Sequence, residues 1–423
     1  MTKRFYTDLL ILGGCLGSMV FTSWAQAPVN RISIHREGDQ VGIQFEGRLE
    51  RASSIEGPWV DLSAEESPFV VQPSESMAFF RVASDGETGI FDSQEVTRLA
   101  LEGPFQKHFD LAFAGLPDGI FPPVREKPYF DGTLSYEGLE LPVRMRVRGN
   151  SSLQECPFPK LKVKVSRKVR EGTPFEDARE WKIGSHCAEG GKGNIGRLRE
   201  ERSTFREAVV YEAMQMLGFL SPRVRRAHIT YQDTTESGDP DRTGWQLTRM
   251  AFVFDHVEVL AEGLGGRALD DEEVAALTDA DFPELLIAEL QLFHALIGNW
   301  DYHLSQDGKG LWNTEVIEMP DKTLEPVAGD FDLASWVTGT VRVTAPRDFM
   351  PELDDLERHL RFELSRIRTA FGEDLFSDAT QRFFGFREAL ENLLALAEVG
   401  EEAREFMRQH VAEFNELIEM NGR

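Results

Sequence analysis

Two stretches, "LPVRMRVRGNSS" and "FPKLKVKV", alternate so strictly that they leave the chain little conformational choice. Val143, Met145 and Val147 take turns with Arg144, Arg146 and Arg148, and Leu161, Val163 and Val165 take turns with Lys160, Lys162 and Lys164. Successive side chains of a strand point to opposite faces, so each stretch is a half-buried strand with one apolar and one basic face. Around them "STFREAVVYEAMQMLGF" reads as a helix capped by Ser203 or Thr204 and stopped by Gly218, and "RRAHITYQ" as a further strand. Residues 281–298 place Leu286, Leu290, Phe293, Leu296 and Ile297 on one helical face, and residues 350–420 are amphipathic helix. From about residue 90 onward the pattern is therefore α+β.

Residues 30–83 differ. Short alternating runs separated by Gly, Pro and Ser predict a small β-sandwich-like module over 28–84, with Trp59, Phe69, Phe79 and Phe80 as its core and a linker over 85–94 around "DGETG". Ahead of it, Lys3 and Arg4, an apolar run from Leu9 to Phe21 and the Ala25-Gln26-Ala27 site predict a signal peptide over 1–27, too short in its apolar part to span a bilayer. Leu12-Gly13-Gly14-Cys15 offers the alternative of a lipoprotein lipidated at Cys15. Export to a periplasmic, secreted or cell-surface location, with no transmembrane anchor after signal removal, is the expectation. In such an oxidising compartment Cys156 and Cys187 are an even pair, expected as a disulfide, with two buried free thiols as the alternative. The formal charge of −26 argues against nucleic acid as a partner, because such a surface repels phosphate backbones.

The chemistry lies where polar residues interrupt apolar elements. In "LIGNWDYHLSQDGKGLW", Asn299 and Asp301 leave the buried face of a helix at its C-terminal mouth, and "LEPVAGDFDLAS" delivers Asp330 and Asp332 at the end of a strand. Carboxylates there cost desolvation energy unless a cation or hydrogen-bond donors compensate. Capping and turn chemistry is one answer, and a metal–phosphate site the other. Phosphoryl transfer needs a strand lysine on the phosphates, a helix carboxylate to steady it, a carboxylate for the nucleophile's proton, and oxygen ligands for magnesium. The candidates in chain order are Lys162, steadied by Glu207 with Glu212 as its rival, then Asp301, Asn313, and the pair Asp330 and Asp332. His303 reads as a hydrogen-bonding support.

"VRGNSSLQECPFPKLKVKV", "WKIGSHC", "LIGNWDYH" and "GDFDLAS" together resemble the CotH kinase-like family, over roughly residues 95–345 and most closely an exported bacterial branch. The resemblance implies a two-lobed atypical protein-kinase-like domain over 95–423, with an N-lobe to about 250 and a C-lobe from about 251. It implies binding of ATP with Mg or Mn and transfer of phosphate to a hydroxyl of an exported or cell-surface protein substrate. Carried over by position, Asp301 is the catalytic aspartate, Asp330 and Asp332 hold metal, Lys162 contacts nucleotide, and Arg148, Asn150, Ser151 and Ser152 form a phosphate-facing turn. Two residues depart from the pattern: Tyr302 stands where the branch has Trp, and Gln306 where kinases have a metal-binding Asn, leaving that role to Asn313. A catalytically inactive scaffold for a surface layer, or a transferase of AMP or an amino acid on the same fold, are the alternatives.

Overall fold

The computed structural model describes residues 89–114, 127–149, 153, 158–185, 201–236, 244–299, 301–302, 311–339, 353–384, 390–391, 393–394 and 397–421, together with backbone strands between 9 and 83. In the amino-terminal part those strands form a four-stranded and a three-stranded sheet. One strand, Leu9–Leu12, lies within the stretch read as a signal peptide and pairs antiparallel with Ala78–Ala83. Loss of residues 1–27 would turn Ala78–Ala83 into a sheet edge.

Seven strands close into a barrel: β1 (Thr97–Gly103), β2 (Phe130–Tyr136), β3 (Leu139–Val147), β4 (Leu161–Val165), β5 (Glu180–Ser185), β6 (Val224–Asp233) and β7 (Gln246–Asp255), in the order β3-β4-β5-β7-β6-β1-β2. All neighbours are antiparallel except β6 and β1. The β2–β3 turn is Glu137-Gly138, with φ of 47° and 83°, the left-handed pair that a tight two-residue hairpin requires. The alternating pattern resolves as expected: Leu141, Val143, Met145, Val147, Leu161, Val163 and Val165 fill the barrel core, and the arginines and lysines face outward.

A second core joins α1 (Ser203–Met216), the outer side chains Phe252 and Phe254 of β7, and a set of helices: α2 (Glu284–Ile297), α3 (Leu353–Phe371), α4 (Glu373–Phe384) and α5 (Glu401–Asn421). A small sheet pairs Arg267–Ala268 with β8 (Thr314–Glu318), and β8 with β9 (Leu324–Ala328). Among the described residues no helix is long and apolar enough to cross a membrane.

Three local expectations change. α1 begins at Ser203 itself after Arg202, with no side-chain cap, because Thr204 turns its hydroxyl back onto the Glu201 carbonyl. The boundary expected near 250 falls inside β7. In the described part of the stretch expected as a linker, residues 89–94, Ile90 is buried, Arg225 donates to its carbonyl and to that of Glu95 just beyond, and Arg226 donates to that of Gln94.

The Gly-Asn-x-Asp stretch gets its shape from helix termination. Gly298 adopts the left-handed conformation (φ 63°, ψ 41°), with its N–H on Ala295 and that of Asn299 on His294, the two bonds of a Schellman cap. Ser335 packs against this turn, its N–H donating to the Gly298 carbonyl at 3.0 Å, and a Cβ at position 298 would come within 2.4 Å of its hydroxyl. Gly298→Ala therefore combines backbone strain with a clash and is expected to cost about 2–3 kcal/mol in chemical denaturation.

Candidate functional site

Lys160 sits one residue before β4, where its carbonyl still accepts from the Arg148 N–H at 2.8 Å. Its Nζ lies 3.7 Å from an Asp330 oxygen and 3.6 Å from an Asp332 oxygen. Burial pulls the lysine pKa down, but Asp330, Asp332 and Glu207 more than reverse this, so the ammonium is held charged. Glu207, on α1, is buried, and feels both Lys160, 47 residues before it, and Asp330, 123 residues after it. Burial pushes its carboxyl up to about 8; Lys160 opposes, Asp332 and Asp330 add to the rise, and Arg148 opposes. Residues far apart in the sequence thus form one electrostatic unit.

The acid turn is anchored from α1. Tyr211, one helical turn after Glu207, accepts the Asp330 N–H on its hydroxyl at 3.1 Å, and its ring meets Phe331 edge-on at 4.9 Å. Phe331 is fully buried against Tyr211, Phe293 and His294, while the carboxylates of Asp330 and Asp332 on either side of it lie near Lys160. Asp330 holds a left-handed backbone (φ 55°), a strained state for a residue with a side chain. Arg148 faces the same group: its guanidinium donates to the Ile183 carbonyl and lies over Phe254, while its buried Nε has no hydrogen-bond partner among the described residues. Leaving such a donor unmet costs about 1–3 kcal/mol, and an anion would meet it.

Asp301 is oriented by the dipeptide after its loop. The Trp312 indole N–H donates to Oδ1 at 3.2 Å, and the Asn313 amide donates to Oδ2 at 3.1 Å and to the Asp301 carbonyl at 2.6 Å. Behind it, Asn299 accepts the Asp301 N–H. Asn313 also accepts the Gly329 N–H on its carbonyl at 2.9 Å, so two residues connect Asp301 to the acid turn. Tyr302, the departure from Trp, stacks on buried His294 at 3.7 Å and receives a hydrogen bond from Arg366. The aromatic position thus serves a packing role that Tyr meets.

Not every residue expected at the site joins this cluster. Lys162 does not reach the acids: its Nζ lies 2.8 Å from Glu180 and 2.7 Å from His256 Nε2. It stands two residues further along the strand than Lys160, about 6.6 Å, on the same face. Glu212 faces Arg226 at 3.4 Å, leaving Glu207 as the carboxylate beside the lysine. Asn313 turns its amide nitrogen to Asp301. Lys160 was missed in the sequence because it precedes the strand; the signal was present, since it shares the alternation of Lys162 and Lys164. Asn150, Ser151, Ser152, Cys156, Cys187, His303 and Gln306 lie outside the described residues, so the expected phosphate turn and disulfide do too.

Among the described residues no group of three or more His, Cys, Asp or Glu side chains is placed to hold a metal ion. The carboxylate pair Asp330 and Asp332 still fits Mg²⁺, which commonly takes one or two protein carboxylates and completes its shell with phosphate oxygens and water.

No family model matches the chain, and no curated protein matches it. Among solved structures it is similar to a Helicobacter pylori proinflammatory kinase CtkA, at 9% identity over 62% of this chain and 92% of that one, with a TM-score of 0.31. A likeness at that level decides neither fold nor chemistry.

Proposed function

We propose that this chain is an exported, atypical kinase-like phosphotransferase that moves the γ-phosphoryl group of ATP to a protein hydroxyl. The observation that carries the reading is the meeting of buried Lys160, Asp332 and Glu207 with the exposed Asp330 in one charged cluster. The motif resemblance supports it, with Lys160 taking the phosphate-gripping place expected of Lys162. Asp330 and Asp332 would hold Mg²⁺ or Mn²⁺, which supplies charge neutralisation on the phosphate oxygens.

The residues divide the work simply. Lys160 and Arg148 neutralise phosphate oxygens, and Glu207 sits behind Lys160 to set its position and charge. Asp301, its carboxylate fixed by Trp312 and Asn313, accepts the proton of the attacking hydroxyl. The hydroxyl oxygen forms the new bond to the γ-phosphorus, the bond to the β–γ bridging oxygen breaks, and ADP departs with that electron pair. Such catalysis rests on positioning and electrostatics, the two things this cluster supplies.

Thermal unfolding with Mg²⁺–ATP is the test. At a hundredfold excess over Kd a binder gains about 2.7 kcal/mol, and Asp332→Ala is expected to abolish the shift. No shift with either Mg²⁺ or Mn²⁺ overturns the reading in favour of an inactive scaffold. ATP labelled on the γ- or α-phosphate then separates phosphate transfer from adenylate transfer.

A further inference from the structure

The Schellman cap at Gly298 brings together two side chains five residues apart. Its outer bond, from the Asn299 N–H to the His294 carbonyl at 2.9 Å, folds residue 299 back against the last turn of α2. Such caps commonly close with an apolar contact between these two positions. Here the contact is polar: the Asn299 amide nitrogen lies 3.1 Å from His294 Nδ1. Both residues are buried, and polar groups at that depth are costly without good hydrogen bonds.

The chemistry of the neighbours decides which atom donates. On its other side Asn299 accepts the Asp301 N–H on Oδ1 at 3.1 Å. A backbone N–H only donates, so the amide must turn its oxygen to Asp301. Its NH2 is then what faces His294, and Nδ1 must accept. The imidazole is therefore neutral, with its proton on Nε2. Burial acts in the same direction, pushing the His294 pKa down to about 3. A proton on Nδ1 would set donor against donor. Turning the amide over to meet it would only move that conflict to the Asp301 N–H. The Tyr302 ring, stacked on the imidazole at 3.7 Å and within 4° of parallel, holds the ring plane that aims Nδ1 at Asn299. Arg366 of α3, paired with Glu363 at 2.9 Å, in turn donates to the Tyr302 hydroxyl.

We infer that His294 is a positioning residue for Asp301, a neutral imidazole that locks the Asn299 amide and through it the backbone at Asp301. The inference rests on the proposed role of Asp301 as proton acceptor. Trp312 and Asn313 hold the Asp301 carboxylate, and the His294–Asn299 relay holds the main chain that carries it. The relay acts on Asp301 and not on the Lys160 group, so it bears on the rate of transfer rather than on nucleotide binding.

A positioning role and a packing role order two variants oppositely. His294→Phe keeps a ring on Tyr302 and loses the acceptor. His294→Asn loses the stack, while its Oδ1, as many bonds from the backbone as Nδ1, keeps an acceptor for Asn299. Stability in urea is expected to fall further in His294→Asn. Turnover of γ-labelled ATP is expected to fall further in His294→Phe, roughly ten- to a hundredfold in kcat, with KM for Mg²⁺–ATP near that of the parent. Stabilisation by Mg²⁺–ATP should persist in both. A parental kcat in His294→Phe, or kcat that follows stability across the two variants, overturns the inference.

A second measurement needs neither turnover nor a folded His294 variant. In the NMR spectrum of the full chain carrying nitrogen-labelled histidine, one of the nine imidazoles is expected to shift in Asn299→Ala. At neutral pH that imidazole should hold its proton on Nε2 and none on Nδ1. A proton on Nδ1 overturns the inference. A parent chain that transfers no phosphate sinks the proposed function instead, and the imidazole spectrum then decides the relay alone.

Discussion

Lys160→Met is expected to lower ATP turnover, read with γ-labelled ATP into protein or free phosphate, by roughly 10²–10³-fold, as loss of a preorganised charge donor does elsewhere. The side chain of Met keeps most of the volume and none of the charge. Lys162→Met should act on a different quantity. It leaves the Glu180 carboxylate, 7% exposed, with Lys164 as its remaining ammonium. Breaking a buried pair from one side costs about 3–5 kcal/mol, so this variant should unfold at lower denaturant while turnover per folded molecule persists. Equal loss of turnover in Lys162→Met, with Lys160→Met unimpaired, would restore the assignment made from the sequence.

The second large effect is on stability against pH. Burial first, then Asp332 and Asp330, push the Glu207 carboxyl up to about 8. In the unfolded chain it titrates near the ordinary glutamate value of 4.5. Between these values the folded protein holds a proton that the unfolded chain has released, so Glu207 makes stability fall as pH rises from about 4.5 to 8 and level off above. Glu207→Gln removes that slope. The difference between the two proteins in urea unfolding should grow in favour of the variant by a few kcal/mol between pH 5 and 8. A constant difference across that range would mean that Glu207 is ionised throughout.

The sequence disclosed faces better than positions along them. Alternation put Lys160, Lys162 and Lys164 on one side, but nothing in a period of two says which of them stands opposite an acid brought in from residue 330. In the same way helical spacing kept Glu207 and Glu212 as rivals until Arg226 was seen to occupy the second. The Gly-Asn-x-Asp turn was legible because Gly298 ends its helix by local chemistry alone. Barrel closure was not, since it depends on β6 running parallel to β1 across more than a hundred residues, a pairing with no local signature. Tyr302 looked like a departure because its stacking partner, His294, is a helix residue that sequence reading assigns simply to the core.

Asn313 has a mechanical implication. By holding Asp301 with its amide and Gly329 with its carbonyl, it makes the two acidic turns one jaw. Entry of anything as large as a nucleotide must then part this jaw from the barrel wall that bears Lys160, not rearrange the acids among themselves. The seam between those two bodies is where opening and closing would be felt first.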